Sequence, residues 1–431
     1  MNYKNTNWSL EKLGLPRKLA WGFLAIFLFM TGDGIETNYL SVYLTDLGLT
    51  QQKSAIVIAY YGITAAIGAV LAGTISSWKG PRAAMMWGAG IWIIFEVLFL
   101  IVAVPSESFE LIALTYTLRG FGYPLFAFGF LVWINTTVEL TKRTTAAGWF
   151  WFAFTAGFPT VGSLVASAGV DTLGKYATLW LSLGVVVLGT LVAYFGITET
   201  RGRSGFSQDG AGPLKQLARS LSAVVTFPKV GMAVVLRVIA TAPQIASFVY
   251  MPFFFVDVIK LSISEYLTMT FVMYAVCTVA CLFIGRFSDD FGWRKTMVYI
   301  GGIGCALTTL AMYYGALQVG PNLLLCTLIC CCYGFTLTGF IPLTTVMSTL
   351  RDAKGNDDGT ILALYALGAG VSAFMGPAIV GALMPAIGVE GLVWTFAGMY
   401  LAGAVIALLL KTEADPGEKT YREAQCETVA S

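Results

Sequence analysis

A chain of 431 residues that is 57% hydrophobic and 12% charged carries about half the roughly 25% charge of an ordinary soluble domain, which excludes a water-exposed globule. The formal net charge of +2 leaves no basic belt for nucleic acid. Histidine is absent, so histidine triads, histidine-ligated metals and a histidine proton switch are excluded together.

A membrane-crossing helix needs ~20 mostly apolar residues. Twelve stretches qualify: 18–43, 54–77, 83–104, 109–138, 145–168, 176–197, 230–257, 266–287, 295–317, 321–349, 360–386 and 388–411. The first is too long for the apolar region of a cleavable signal and lacks a small-residue cleavage site, so it reads as a span. The polar stretch between the sixth and seventh spans holds Arg201, Arg203, Lys215 and Arg219 and reads as a link between two bundles. The sequence therefore predicts an all-α membrane protein: a six-helix bundle over 1–198, a cytoplasmic loop over 199–229, a second six-helix bundle over 230–411, and a polar tail over 412–431.

With twelve spans both ends of the chain lie on one side. Loops of that side hold 21 lysines and arginines; those of the opposite side hold Lys53, Lys175 and Lys260, and Arg119 and Arg237 fall inside spans. The positive-inside rule makes the richer side cytoplasmic. Seven of the eight cysteines lie in apolar segments, none before Cys277, and behave as small hydrophobes. The run Cys330 to Cys332 lacks the spacing of paired metal ligands.

Ionisable residues inside spans are functional candidates by default. Asp33 and Glu36 are three residues apart, on one helix face. Asp33 lies ten residues before the outer end of the first span, and Arg119 ten residues after the outer start of the fourth. At 1.5 Å per residue both sit ~15 Å deep, so a pair is possible. Burial disfavours the charge on such a carboxyl and the arginine favours it. A site balanced between the two gains and loses a proton as the arginine shifts. A static ion pair pinning two helices is the plainer alternative, and spacing does not say whether Asp33, Glu36 or Glu96 carries the proton.

The halves are weakly related. Gly73, Gly80 and Arg82 after the second span recur as Gly285, Gly292 and Arg294 after the eighth, at a constant offset of 212. With Asp289 these residues are candidates for a cytoplasmic gate. The second half lacks the ions: Ile245 stands opposite Asp33, and Tyr333 opposite Arg119. Gln244, Tyr274, Tyr333, Thr336, Thr338 and Tyr365 instead offer neutral hydrogen-bonding groups suited to a polyhydroxyl solute. Tyr123, Trp149 and Trp151 offer aromatic faces for its C–H surfaces. Ordinary helix packing explains any one of them equally. Arg237, in the cytoplasmic third of the seventh span, reaches the inner mouth, pairs across the halves, or snorkels.

The paired loops and the six-plus-six layout resemble the major facilitator superfamily, with Ser77 where the first loop copy ordinarily has an acid and Asp289 keeping it in the second. A closer resemblance is to the bacterial polyol permeases. It is carried by Phe29-Met30-Thr31-Gly32-Asp33-Gly34, Arg119-Gly120-Phe121, Tyr123-Pro124-Leu125-Phe126, Gly148-Trp149-Phe150-Trp151, Thr178-Leu179-Trp180-Leu181 and Phe255-Val256-Asp257. The resemblance implies proton-linked uptake of a pentitol such as ribitol or D-arabinitol across the inner membrane, with Asp33 and Arg119 in the places of the first-span acid and fourth-span arginine of sugar symporters. The expected unit is a monomer working with a small solute, protons and the bilayer, without cofactor or metal. Efflux or uptake of a siderophore, drug or other metabolite is the competing reading. No nucleophile with its base, metal cluster or nucleotide loop appears, so an enzyme or a primary pump is not expected.

Overall fold

The computed structural model describes residues 19–138, 140–197, 228–352 and 358–411; most of the expected inter-bundle loop and the tail 412–431 lie outside them. The first crossing, α1 (Ala20–Thr37), breaks at Asn38 and Tyr39 and is extended by the short helix Leu40–Asp46. Then follow α2 (Gln51–Lys79), α3 (Pro81–Ser106), α4 (Phe109–Ile134), α5 (Ala146–Leu173), α6 (Lys175–Gly196) and α7 (Pro228–Val258). The second half continues with α8 (Ile263–Phe291), α9 (Trp293–Val319) and α10 (Leu323–Met347). Its last helical stretch, Asp358–Leu409, turns at Gly388 (φ 64°) and so supplies two crossings, α11 (358–387) and α12 (389–409).

Among the described residues ten stretches are long and apolar enough to cross a membrane, counting Leu367–Leu409 once. Helix α1 falls short by that measure because its 18 residues include Asp33 and Glu36. Adding α1 and dividing the last stretch at Gly388 gives the twelve crossings expected from the sequence. The solitary long span 18–43 is corrected to a helix with a break, which frees Asn38 and Ser41 to bond outside it.

One end of the bundle, here called basal, gathers Trp21, Arg82 and Gly196. Gly196 packs on Trp21, and Arg82 Nη2 donates to the Tyr194 carbonyl at 2.7 Å. Lys229 Nζ donates to the Lys411 carbonyl at 3.0 Å at the same end of the second half. At the opposite, apical end Tyr39 donates to the Lys175 carbonyl at 2.8 Å, and Lys175 pairs with Asp46 at 2.5 Å.

The internal repeat is visible in the corners. Among the described residues the positive-φ positions form four pairs, separated by 212 to 214 residues: Gly48 with Lys260, Gly80 with Gly292, Glu107 with Gly320, and Gly174 with Gly388. Each pair closes the same turn in the two halves. Gly80 (φ 98°) and Gly292 (φ 105°) end α2 and α8, both 29 residues long. At the other ends of these helices Thr50 and Ser262 accept the third-residue N–H, from Lys53 and Glu265. Such a cap satisfies an orphan donor of the first turn. The turns need a backbone conformation that glycine adopts without steric cost.

The two halves meet along α2 with α11 and α5 with α8, and the apical extension of α1 leans on α7. Small residues make the first contact close: an added Cβ on Gly370 would lie 2.8 Å from Ala66, and Gly62 packs on the backbone of Ala373. Hydroxyls make the second: Ser167 Oγ lies 2.8 Å from Ser264 Oγ and 2.9 Å from Thr268 Oγ1, while Ser264 donates to Asp171 at 2.6 Å. Ser41 donates to the Phe248 carbonyl at 3.4 Å. These contacts run from the middle of the bundle to its apical end. Towards the basal ends of α2 and α8, Gly73 and Gly285 face open space. The structure is thus closed apically.

Candidate functional site

Glycine next to charge positions the centre of the first half. Gly120 follows Arg119, and an added Cβ there would lie 2.6 Å from the Tyr61 carbonyl. Helix α4 therefore rests directly on α2, and Thr64 fixes it by donating to the Thr117 carbonyl at 2.5 Å. Gly122 packs α4 on Trp92 of α3. Gly32 and Gly34, on either side of Asp33, admit α6 and α5 to α1. Small residues of this kind let membrane helices approach closely enough to carry polar groups inward.

The result brings Asp33, Glu36, Glu96 and Arg119 together, each at most 1% exposed. Arg119 Nη1 donates to Glu36 Oε2 at 2.5 Å and also to Glu96 Oε2. Nη2 is 4.0 Å from Asp33 Oδ1. That same oxygen accepts from Trp92 Nε1 at 2.8 Å and from the Tyr61 hydroxyl at 3.3 Å. Aromatic faces enclose the guanidinium: its carbon lies 4.3 Å from the Tyr116 ring, 4.7 Å from Trp92 and 5.6 Å from Tyr61, all within cation–π range. Glu36 Oε1, Glu96 Oε1 and Arg119 Nε and Nη2 make no hydrogen bond. Three carboxyl groups thus share one cation in a buried setting.

Equal depth sets Asp33 against Arg119, and the structure brings them within ion-pair reach. The shortest partners of the arginine are nevertheless Glu36 and Glu96. Glu96 was visible as an acid in mid-span, but nothing in its spacing linked it to Arg119. Trp92 and Tyr61, which bond Asp33, carry no charge that marks them in the sequence. The available signal was that Trp92 and Glu96 stand four residues apart, on one face of α3.

A line of rings leads from this cluster across the molecule. Tyr61 stacks on Tyr123 (6.1 Å), Tyr123 meets Phe154 (6.4 Å), and Phe154 meets Phe158 (6.3 Å). Phe158 crosses to Phe248 of α7 (5.7 Å), which stacks on Tyr274 of α8 (5.7 Å). Trp151 joins this line through Phe154 at 5.6 Å. Trp149 meets the exposed Phe152 at 5.5 Å.

In the second half the Tyr274 hydroxyl is buried without a completed hydrogen bond, near Gln244 and Ser247 of α7. Tyr274 and Tyr333 both line a small cavity with Ser247, Phe248, Thr270 and Met273. Tyr333 is tied to Tyr400 of α12, hydroxyl to hydroxyl, at 2.8 Å. Thr336 bonds Thr308 of α9 at 3.0 Å, and Thr338 bonds the Phe335 carbonyl. Thr336 thus faces α9 in this structure. Arg237 is half-buried and lays its stem on Gly368 of α11. Tyr365 belongs to α11, but its side chain is outside the described set.

Of the candidate gate residues, Arg82 is bound within its own half and lies 5.2 Å over the Tyr194 ring. Asp289 accepts from Trp293 Nε1 across the Gly292 corner, at 2.8 Å. Arg294 follows Gly292 in the first turn of α9. Among the described residues no group of three or more acids and cysteines is disposed to hold a metal ion.

Comparison with known proteins agrees with this architecture. The alpha-ketoglutarate permease of Bacillus subtilis is 33% identical over 422 residues, 96% of this chain and 94% of that protein. The ribitol transporter of Klebsiella pneumoniae is 31% identical over 418 residues, 97% of this chain and 96% of that protein. Among solved structures, the nucleoside transporter NupG superposes with a TM-score of 0.71 over 92% of this chain and 99% of that one, at 14% identity; that likeness concerns the fold alone. The family model of the Major Facilitator Superfamily matches residues 22–358. The chain is therefore a multi-pass membrane transporter, not an enzyme, and it belongs to the major facilitator superfamily.

Proposed function

We propose that this transporter takes up a small neutral polyhydroxyl solute, a sugar alcohol of the ribitol or D-arabinitol kind, together with protons. The observation that supports this most is the buried cluster, in which three carboxyl groups face the single guanidinium of Arg119. Excess negative charge at this depth is costly, so the cluster is stabilised by holding protons. Releasing one changes the charge beside the seam of the two halves. Asp33 is the exchanging carboxyl, because it adjoins Tyr61 and the ring line, whereas Glu36 and Glu96 hold Arg119.

The same charge count argues for a neutral solute. A dicarboxylate would meet an excess of like charge here, and the nitrogen Nη1 is already shared by two glutamates. A polyol meets no such repulsion. Its C–H faces suit Tyr123 and Trp151, and its hydroxyls suit Gln244 and Tyr274. The likeness to the ribitol transporter supports this reading. The excess of basic residues in the basal loops makes that end cytoplasmic, so the apical closure lies on the outer side, and both termini are cytoplasmic in the inner membrane. Alternating access by rocking of the halves about the central site completes the cycle.

The test is proton flux in proteoliposomes with a trapped pH dye and no imposed gradient. Addition of ribitol or D-arabinitol outside is expected to acidify the interior, and Asp33→Asn to abolish that signal. Acidification by alpha-ketoglutarate and by neither polyol would overturn the neutral-solute reading while keeping the coupling. A flat trace with every solute would overturn the coupling and bring exchange-driven efflux forward.

A further inference from the structure

We propose that Phe158 is the positioning residue through which the acids of α1 act on the apical seam between the halves. The proposal rests on the reading of Asp33 as the exchanging carboxyl and extends it to a mechanical link.

Phe158 lies in a π-helical turn of α5, Ala156–Val161, with Pro159 inside it. Such turns are rare and collect at functional sites. The turn presses on α1 between its two acids. An added Cβ on Gly34 would lie 2.9 Å from Phe158 Cα and nearer still to its carbonyl. One on Gly162 would lie 2.9 Å from Gly34 Cα and 3.0 Å from the Ile35 nitrogen. Asn38, at the break of α1, donates its Nδ2 to the Gly34 carbonyl at 2.5 Å and lies 3.5 Å from the Phe158 carbonyl. No side chain intervenes between Gly34 and Phe158, so a shift of the segment Asp33–Glu36 is passed to the π turn as a backbone displacement.

The ring of Phe158 points the other way, across the boundary between the halves. It meets Phe248 edge-on at 5.7 Å, with the planes at 79°. Phe248 is itself held from two sides: its carbonyl accepts from Ser41 of the α1 extension, and its ring stacks on Tyr274. Backbone on one side and ring on the other make Phe158 a rigid bridge. The hydroxyl cluster of Ser167, Ser264 and Thr268 closes the same α5–α8 seam further towards the apical end. Packed interfaces of this kind have discrete arrangements rather than a continuum, so a change at the acids tips the seam between closed and open.

The experiment reads the seam without transport. Ser167→Cys and Ser264→Cys are introduced together, with the native cysteines replaced, and the yield of a short bifunctional cross-link reports apical closure. Asp33→Asn, which fixes the site in its uncharged form, is expected to change that yield about fivefold, the low end of ordinary allosteric coupling. With Phe158→Ala added, the yield is expected to become indifferent to Asp33→Asn, since the ring is lost while the backbone contact remains. Phe248→Ala is expected to do the same from the other side, and serves where Phe158→Ala does not fold. An equal response to Asp33→Asn with and without either ring overturns the bridge and leaves the proton-coupling reading intact. No response in the parent overturns the role of Asp33 and the bridge with it.

Discussion

The carboxyl groups of Glu36 and Glu96, on α1 and α3, meet at a single nitrogen, Nη1 of Arg119. That nitrogen has one N–H for each acid, and both acids are wholly buried. Together they fasten α1 and α3 to α4, while Asp33 depends on Trp92 and Tyr61 as well as on the arginine.

Removing the cation should be worse than removing one acid. Arg119→Gln leaves three carboxyl groups without a counter-charge, and breaking a buried pair costs about 3–5 kcal/mol. A clearly lower thermal midpoint in detergent is expected, with partial rescue when Glu96→Gln is added. A double variant no more stable than Arg119→Gln alone would show that Glu96 and Arg119 act independently.

Asp33→Asn should separate binding from coupling. Asparagine can still accept from Trp92 and Tyr61, so solute exchange at equal concentrations is expected to persist. Uphill accumulation driven by a proton gradient is expected to vanish. Retained accumulation in proteoliposomes would move the exchanging group to one of the glutamates.

Glycines in the two environments should respond with opposite sign. Gly120→Ala forces a methyl group against the Tyr61 carbonyl and the Thr64 hydroxyl, and overpacking costs roughly 1–3 kcal/mol. Gly73→Ala meets open space within α2 and should gain roughly 0.5–1 kcal/mol from helix propensity. Thermal unfolding of the two variants side by side checks the contrast.

The hydroxyl cluster at the apical seam should bias the resting state. Each hydrogen bond there contributes about 0.5–1.5 kcal/mol, so Ser264→Ala, which removes contacts to both Ser167 and Asp171, is expected to populate the apically open form more. Labelling of a cysteine placed on the apical side of the ring line should quicken several-fold. The exposed pair of Lys175 and Asp46 offers a control, because such pairs contribute about 0–1 kcal/mol and Asp46→Asn should change labelling little.

Much of this architecture can be read from residues. Long apolar runs mark the spans, and the matched depth of Asp33 and Arg119 follows from counting along two antiparallel helices. The glycines beside those charges are equally plain in the sequence. What counting along one helix cannot supply is azimuth. Which way Glu96 faces, or that Thr336 turns to Thr308 and Trp149 to Phe152, depends on how each helix is rotated against its neighbours. The break at Asn38 is hidden for a related reason: beside the local bond of Asn38 to the Gly34 carbonyl, the break residues bond to partners 120 and more residues away.

The paired corners act as a ruler that lays one half of the chain over the other. By that ruler Arg119 falls on Tyr333, whose hydroxyl is committed to the neutral Tyr400. Among the described residues the fixed charges at this depth are gathered around the first bundle's cluster, while the same place in the second bundle is occupied by a phenol pair and its in-span Arg237 lies nearer the basal end. Membrane voltage exerts force on charge at about 2.3 kcal/mol per elementary charge per 100 mV. At this depth it therefore pulls on one of two matched bodies and leaves the other as a counterweight.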